Sequence, residues 1–313
     1  NKWELFMALD KKNYIIPSVL LCEAYYNNRH DNKFIVSKVE NVVQDGFFKS
    51  IEMSPLACAD LRKKVAKAIN IKGSKIESCV IWATERLGEH EVNLNALDEK
   101  QRQASVDAVK AVLDGAKETA ATHVGIYAGP NVGILERSCA YKALIKSVGE
   151  IASYAKKLDL EVLLEPLDRF AHKKKLLGTS RDAKELFEII SKEHSNVKLC
   201  LDTAHTALNR EDLCEALDMV APFTKFVHLS NAVLDFNDPL YGDNHILPGE
   251  PGFLTVKAAE RMFTHAYKAG VNADCGLRAA VEFRQNEISL NNRAFEYGTD
   301  FLKQILLEFY LNN

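Results

Sequence analysis

The chain has 313 residues, 47% of them hydrophobic and 27% charged, enough for a large core and within the range of one barrel domain covering residues 1–313. A net charge of −3 offers no electrostatic footprint for nucleic acid, and no apolar stretch approaches the roughly 18 residues of a membrane span. Seven scattered cysteines, an odd number with no CxxC pair, point to reduced and mostly buried thiols and a cytoplasmic address. No signal-like apolar region opens the chain, and its first residue is Asn, so a few starting residues are expected to be missing.

Strand and helix patterns alternate from end to end. Tyr14 to Leu21 reads as a first strand, and Lys33 to Gln44 as a helix closed by Asp45-Gly46. Phe47 to Glu52 is a second strand, Asp60 to Asn70 an amphipathic helix, and Glu77 to Trp82 a third strand. Asp98 to Thr119 reads as a long helix with Ala104, Val106, Val109 and Val112 on its apolar face. His123 to Tyr127 is a fourth strand, followed by a loop, Ala128 to Gly133, that is flexible by composition. Ser138 to Leu158 is helical, and Leu160 to Glu165 is strand five.

Ser180 is placed to cap a helix running to His194, with Asp182 in its first turn and Ala183 where a full capping box would need Glu or Gln. Val197 to Asp202 is strand six, Glu211 to Met219 a short helix, and Lys225 to Ser230 strand seven. A long loop, Asn231 to Gly252, precedes the helix Thr255 to Ala269; Ala279 to Glu282 is strand eight, and Asn292 to Leu311 is a closing helix. Eight strands alternating with eight helices predict the α/β fold of a (β/α)8 TIM barrel, a parallel eight-stranded barrel with outer helices.

Four of these strands end on a side chain that can bind metal: Glu165, Asp202, His228 and Glu282. Each follows a nearly continuous apolar run, the mark of a strand buried on both faces. A polar residue at the C-terminal end of a barrel strand points into the mouth. Singly, an acid after a strand is an ordinary helix cap or surface ion pair. Four in register, 37, 26 and 54 residues apart, suit one divalent ion, Mn²⁺ or Zn²⁺, with Mg²⁺ or Co²⁺ as alternatives.

Around these positions the tracts Leu164-Glu165-Pro166-Leu167-Asp168-Arg169, Leu201-Asp202-Thr203-Ala204-His205 and Val227-His228-Leu229-Ser230-Asn231 resemble those of the xylose isomerase-like TIM barrel superfamily. Asp243-Asn244-His245 and Pro248-Gly249-Glu250-Pro251-Gly252 resemble its D-x-H/R and PGxG features. The superfamily includes sugar epimerases, inosose isomerases and endonuclease IV. The resemblance, clearest from Leu160 to Arg284, implies that Glu165, Asp202, His228 and Glu282 share the metal. It also implies that Glu165 and Glu282 are catalytic, exchanging a proton next to a carbonyl through an enediolate.

His205, Asp243, His245, Arg169 and Arg284 are candidate substrate contacts. For His205 the resemblance favours contact with substrate or an additional metal over a helix-capping or metal-supporting role; Asp243 and His245 read equally as further ligands or a loop clasp, and the arginines as barrel-wall ion pairs. Trp82 and Phe170 are expected in core packing. His30, His90, His172, His194 and His265 are expected to be surface or packing residues.

Three functions follow from the resemblance: a metal-dependent isomerase or epimerase of a small sugar, inosose or related polyhydroxy carbonyl compound; an endonuclease IV-like apurinic-site phosphodiesterase; and a dehydratase. A binding protein without turnover is a further class. The strand-three end, Cys79 to Ala83, and the strand-four end, Tyr127-Ala128-Gly129, lack the two histidines of the nuclease's cluster. The ketohexose 3-epimerases carry a Glu where Ala171 stands and an Arg near Leu234. The favoured reading is a carbohydrate isomerase or epimerase, with a small-molecule substrate, no nucleic-acid or membrane partner, and a homo-oligomeric state in keeping with such barrels.

Overall fold

The computed structural model describes residues 14–83, 86–87, 90–285 and 293–313. Eight parallel strands close into a barrel: β1 (Ile15–Leu20), β2 (Ser50–Met53), β3 (Ser78–Trp82), β4 (His123–Tyr127), β5 (Glu161–Glu165), β6 (Val197–Asp202), β7 (Thr224–Leu229) and β8 (Leu277–Val281). Each pairs with its sequence neighbours, and β1 closes the ring by pairing with both β8 and β2. The long helices follow in turn: α1 (Asn32–Asp45), α2 (Ala59–Ile69), α3 (Glu99–Glu118), α4 (Arg137–Lys157), α5 (Ser180–Ile190), α6 (Leu213–Val220), α7 (Val256–Lys268) and α8 (Arg293–Asn312). The residue expected to open the last helix, Asn292, lies outside the described residues.

Alternation along the strands fills two cores. Leu20, Val80, Trp82, Leu163, Cys200 and Phe226 form a cluster inside the barrel, while Val162, Leu164, Leu199, Val227 and Ala279 belong to the larger core that includes the helices. Side chains two residues apart share a face. Leu163, Cys200 and Phe226 therefore set Glu165, Asp202 and His228 on the inside, one layer nearer the mouth. The bottom of the barrel also holds polar groups: Arg278 donates to Ser78 Oγ at 2.9 Å, and His123 Nε2 lies 3.0 Å from Glu161 Oε2.

Several local readings change. The cap of α5 is Thr179 rather than Ser180: its hydroxyl accepts the Asp182 N–H, and the Asp182 carboxylate accepts the Thr179 N–H, so the capping box is complete with Asp in the third position. Ser180 instead donates to Glu211. The loop after β4 is pinned, with Gly129 O accepting from Leu176 N and Asn131 N donating to Lys174 O. Three of the seven cysteines are buried, three are exposed, and all seven are unpaired. Phe170 is 74% exposed, not packed, because it sits on the loop after β5.

Candidate metal centre at the barrel mouth

Glu165, Asp202 and His228 end or nearly end consecutive strands, and Glu282 follows β8 by one residue. Each offers one ligand atom, and the four atoms all lie within 4.8 Å of one another. His228 Nδ1 is 3.0 Å from Glu165 Oε1 and 2.9 Å from Glu282 Oε2, yet it is buried without a hydrogen bond of acceptable geometry. Three carboxylates and an imidazole nitrogen, converging around that orphaned atom, fit a divalent ion of hard or borderline character. Register assists: Asp202 lies beside His228 across the β6–β7 ladder.

Glu52, at the end of β2, was missed by the sequence reading and fixes the ring of His228. Its Oε2 lies 3.0 Å from His228 Nε2 and accepts the Trp82 indole N–H at 2.7 Å, while its Oε1 accepts Ser18 Oγ at 2.9 Å. This wholly buried carboxylate holds a proton on His228 Nε2, so that Nδ1 is the nitrogen that would face an ion in the carboxylate cluster once its own proton is lost. Polar residues of matching parity, Ser18, Ser50 and Ser78, lie on the neighbouring ladders. That pattern marks an inward face.

Asp202 has two tasks. It caps the short helix Thr203–Leu208, with Oδ1 accepting the His205 N–H at 2.7 Å, and it offers an oxygen to the four-residue cluster that could hold a metal ion. Asp168, fully buried, accepts the backbone N–H of His172 and of Lys173, and its Oδ2 lies 3.2 Å from His205 Nδ1. Asp243 Oδ2 sits 3.7 Å from His205 Nε2, 3.6 Å from His245 Nε2 and 3.2 Å from Lys173 Nζ. His245 reaches Glu282 Oε1 at 2.8 Å from a left-handed backbone, φ 52°, that histidine seldom adopts.

Burial and mutual repulsion organise the charges. Burial pushes the Asp202 carboxyl up to about 8, reinforced by Glu282, Glu165 and Asp243 although His205 opposes it. Burial alone would lower His205, but Asp202 and Asp243 outweigh it and hold the imidazole at about 10. His228 is likewise held well above its usual range, burial opposing and Cys200, Glu165, Glu52 and Glu282 prevailing. Burial would raise Glu282, yet His228 and His245 bring it well below the usual carboxylate range.

Glu165, His205, His228, Asp243, His245 and Glu282 line a cavity of about 930 Å³, along with Trp82, Tyr127, Lys173 and Arg284. Arg284 belongs to its wall, paired with Glu23 at 2.6 Å and stacked over Tyr26. Arg169 does not line it: the guanidinium pairs with Asp182 at the start of α5, the barrel-wall ion pair weighed above. Trp82 packs in the barrel core as expected and also lines the cavity. His30 lines it too, while His265 makes a surface pair with Asp218. The His90 side chain lies outside the described residues.

A family model described as a xylose isomerase-like TIM barrel matches residues 39–283. The chain belongs to that family. Fructoselysine 3-epimerase of Escherichia coli O157:H7 is 27% identical over 115 residues, 34% of this chain and 39% of that protein, so the match spans well under half of the relative. Among solved structures, an L-ribulose 3-epimerase superposes on this xylose isomerase-like barrel with a TM-score of 0.71 at 15% identity, covering 95% of this chain and 96% of the other. The IOLI protein with a bound zinc atom gives 0.70 at 16% identity, covering 94% and 99%. At such identities these likenesses speak to the fold alone.

Proposed function

We propose that this protein is a metal-dependent isomerase or epimerase acting on a small sugar, inosose or related polyhydroxy carbonyl compound. One observation carries the reading. Glu165 and Glu282 flank His228 from β5 and from just past β8, and both line the cavity, so two carboxylates face whatever the mouth holds. A bound divalent ion, held by Glu165, Asp202, His228 and Glu282, would polarise a substrate carbonyl and acidify the neighbouring C–H.

The protein's own groups supply the proton traffic. One glutamate takes the proton from the carbon next to the carbonyl, leaving an enediolate, and the other returns a proton at the opposite face. His245 on Glu282 Oε1 keeps that carboxylate ionised and oriented for the task. His205, fixed by the Asp202 cap and by Asp168, borders the same space and would contact substrate hydroxyls. Arg284 offers a further donor at the rim. The ends of β3 and β4 carry Trp82 and Tyr127 at the cavity, which supports a ring-binding wall over an extended metal cluster.

The test is elemental analysis of protein purified without chelator or affinity metal, followed by solvent deuterium uptake into ketoses and inososes. About one metal equivalent per chain and uptake at a carbon next to the carbonyl are expected. Glu165→Gln and Glu282→Gln should each lower turnover by at least about a thousandfold, since each removes a reacting base. Unchanged turnover in either variant overturns the two-base reading. Cleavage of abasic DNA by metal-loaded protein would favour the phosphodiesterase alternative, and loss of water from the labelled product the dehydratase.

A further inference from the structure

We propose that the ammonium of Lys173 stands in for a second divalent cation at Asp243, and so keeps the metal centre mononuclear. The inference rests on the metal centre proposed above and concerns residues on its flank. Asp243 is buried, and its Oδ2 finds no hydrogen bond of acceptable geometry despite three nitrogen atoms within 3.7 Å. Those nitrogens, His205 Nε2, His245 Nε2 and Lys173 Nζ, come from the short helix after β6 and from two separate loops. His245 Nε2 lies nearer Glu282 Oε1, at 2.8 Å, but with their protons displaced the two imidazoles and this oxygen would make a donor set that a borderline divalent ion takes. At Asp243, though, a cation is already present.

Lys173 is built into place. It follows β5 in the run His172-Lys173-Lys174-Lys175, and the Asp168 carboxylate fixes its backbone by accepting its N–H together with that of His172. Lys174 continues the turn in a left-handed conformation, φ 54°. The Lys173 side chain is 30% exposed and lines the cavity, in contact with Asp243 at 3.2 Å. Although burial opposes its charge, Asp243 holds Lys173 above its ordinary value, so the ammonium persists. A divalent ion a few ångströms from a fixed ammonium would be repelled by at least a thousandfold in affinity, on the order expected for such charges at a protein surface. The one carboxylate available to it would also be neutralised already.

Equilibrium dialysis of the full chain against Zn²⁺ alone, and separately Mn²⁺ alone, counts the ions. Wild type should saturate at one equivalent, Lys173→Met at two, and Lys173→Met combined with Asp243→Asn at one again. Lys173→Arg, which keeps the charge, should stay at one. Two tight equivalents in wild type overturn the proposal without any variant, and so does a folded Lys173→Met protein that stays at one. Wild type that binds no ion at all fails differently, because it removes the centre formed by Glu165, Asp202, His228 and Glu282 itself.

Discussion

Replacing Glu52 by Gln should weaken divalent-ion binding although Glu52 is not among the proposed ligands. Glutamine matches its shape, and its oxygen can still accept from His228 and Trp82 while its amide faces Ser18 Oγ, which can accept in turn. What disappears is the charge behind three buried bonds. Charge-assisted bonds contribute about 1.5–3 kcal/mol against about 0.5–1.5 for neutral ones, so the bond to His228 loses on the order of 1–1.5 kcal/mol, and somewhat more with its orientation loosened. The bond alone corresponds to about 5- to 13-fold in affinity, and the loosened orientation moves the loss toward the 10- to 100-fold typical of partners behind a ligating histidine. Loss of Glu52 also eases deprotonation of His228, a partial offset that weakens as pH rises. A competition titration with a chromophoric chelator and Zn²⁺, at two pH values and with circular dichroism to verify the fold, measures the effect. Affinity within threefold of wild type at both pH values would refute the argument and leave strand geometry alone to orient the ring.

Metal binding should depend steeply on pH. Asp202, pushed up to about 8, and His228, held well above its usual range, both carry protons at neutral pH that a ligand must lose. Affinity therefore rises with pH until these groups titrate, and about two protons should leave per ion near pH 7. Calorimetry in buffers of different ionisation enthalpy counts them, and a value near zero would contradict the charge pattern. Gly125→Ala tests the packing behind the site: a Cβ there would lie 2.2 Å from the Trp82 ring, which Glu52 holds in place. Stability should fall by about 1–3 kcal/mol in urea unfolding, with Trp82 fluorescence shifted. Unaltered stability would mean that the indole can move freely.

The strand ends proposed to bind metal stand out because each breaks an apolar run: Leu163-Leu164 before Glu165, Leu201 before Asp202, Val227 before His228, Val281 before Glu282. Glu52 was hidden because Ser50-Ile51-Glu52-Met53 alternates like a half-exposed strand, and only barrel closure turns its polar face inward. Lys173 was hidden for the opposite reason. In a run of three lysines it reads as solvated surface, and Asp168 singles it out only through a backbone turn. Thr179 lost to Ser180 because two good caps stand side by side, and the reciprocal bond from Asp182 decides between them. Arg169 and Arg284 each follow a candidate ligand glutamate closely, yet chain direction after the strand sends one to α5 and the other to the mouth.

The four proposed ligands come from four consecutive strands, β5 through β8, while β1 through β4 contribute walls and supports. Such a division separates two rates of change during divergence. Loops on the first half-ring can lengthen, shorten or exchange side chains without disturbing any ligand, provided Glu52 and Trp82 remain in position. The second half-ring has no such latitude, because each of its strands ends on, or just before, an atom of the shared cluster. Recombining the N-terminal four β/α units of one such barrel with the C-terminal four of another would then be a direct route to new substrates on an inherited metal.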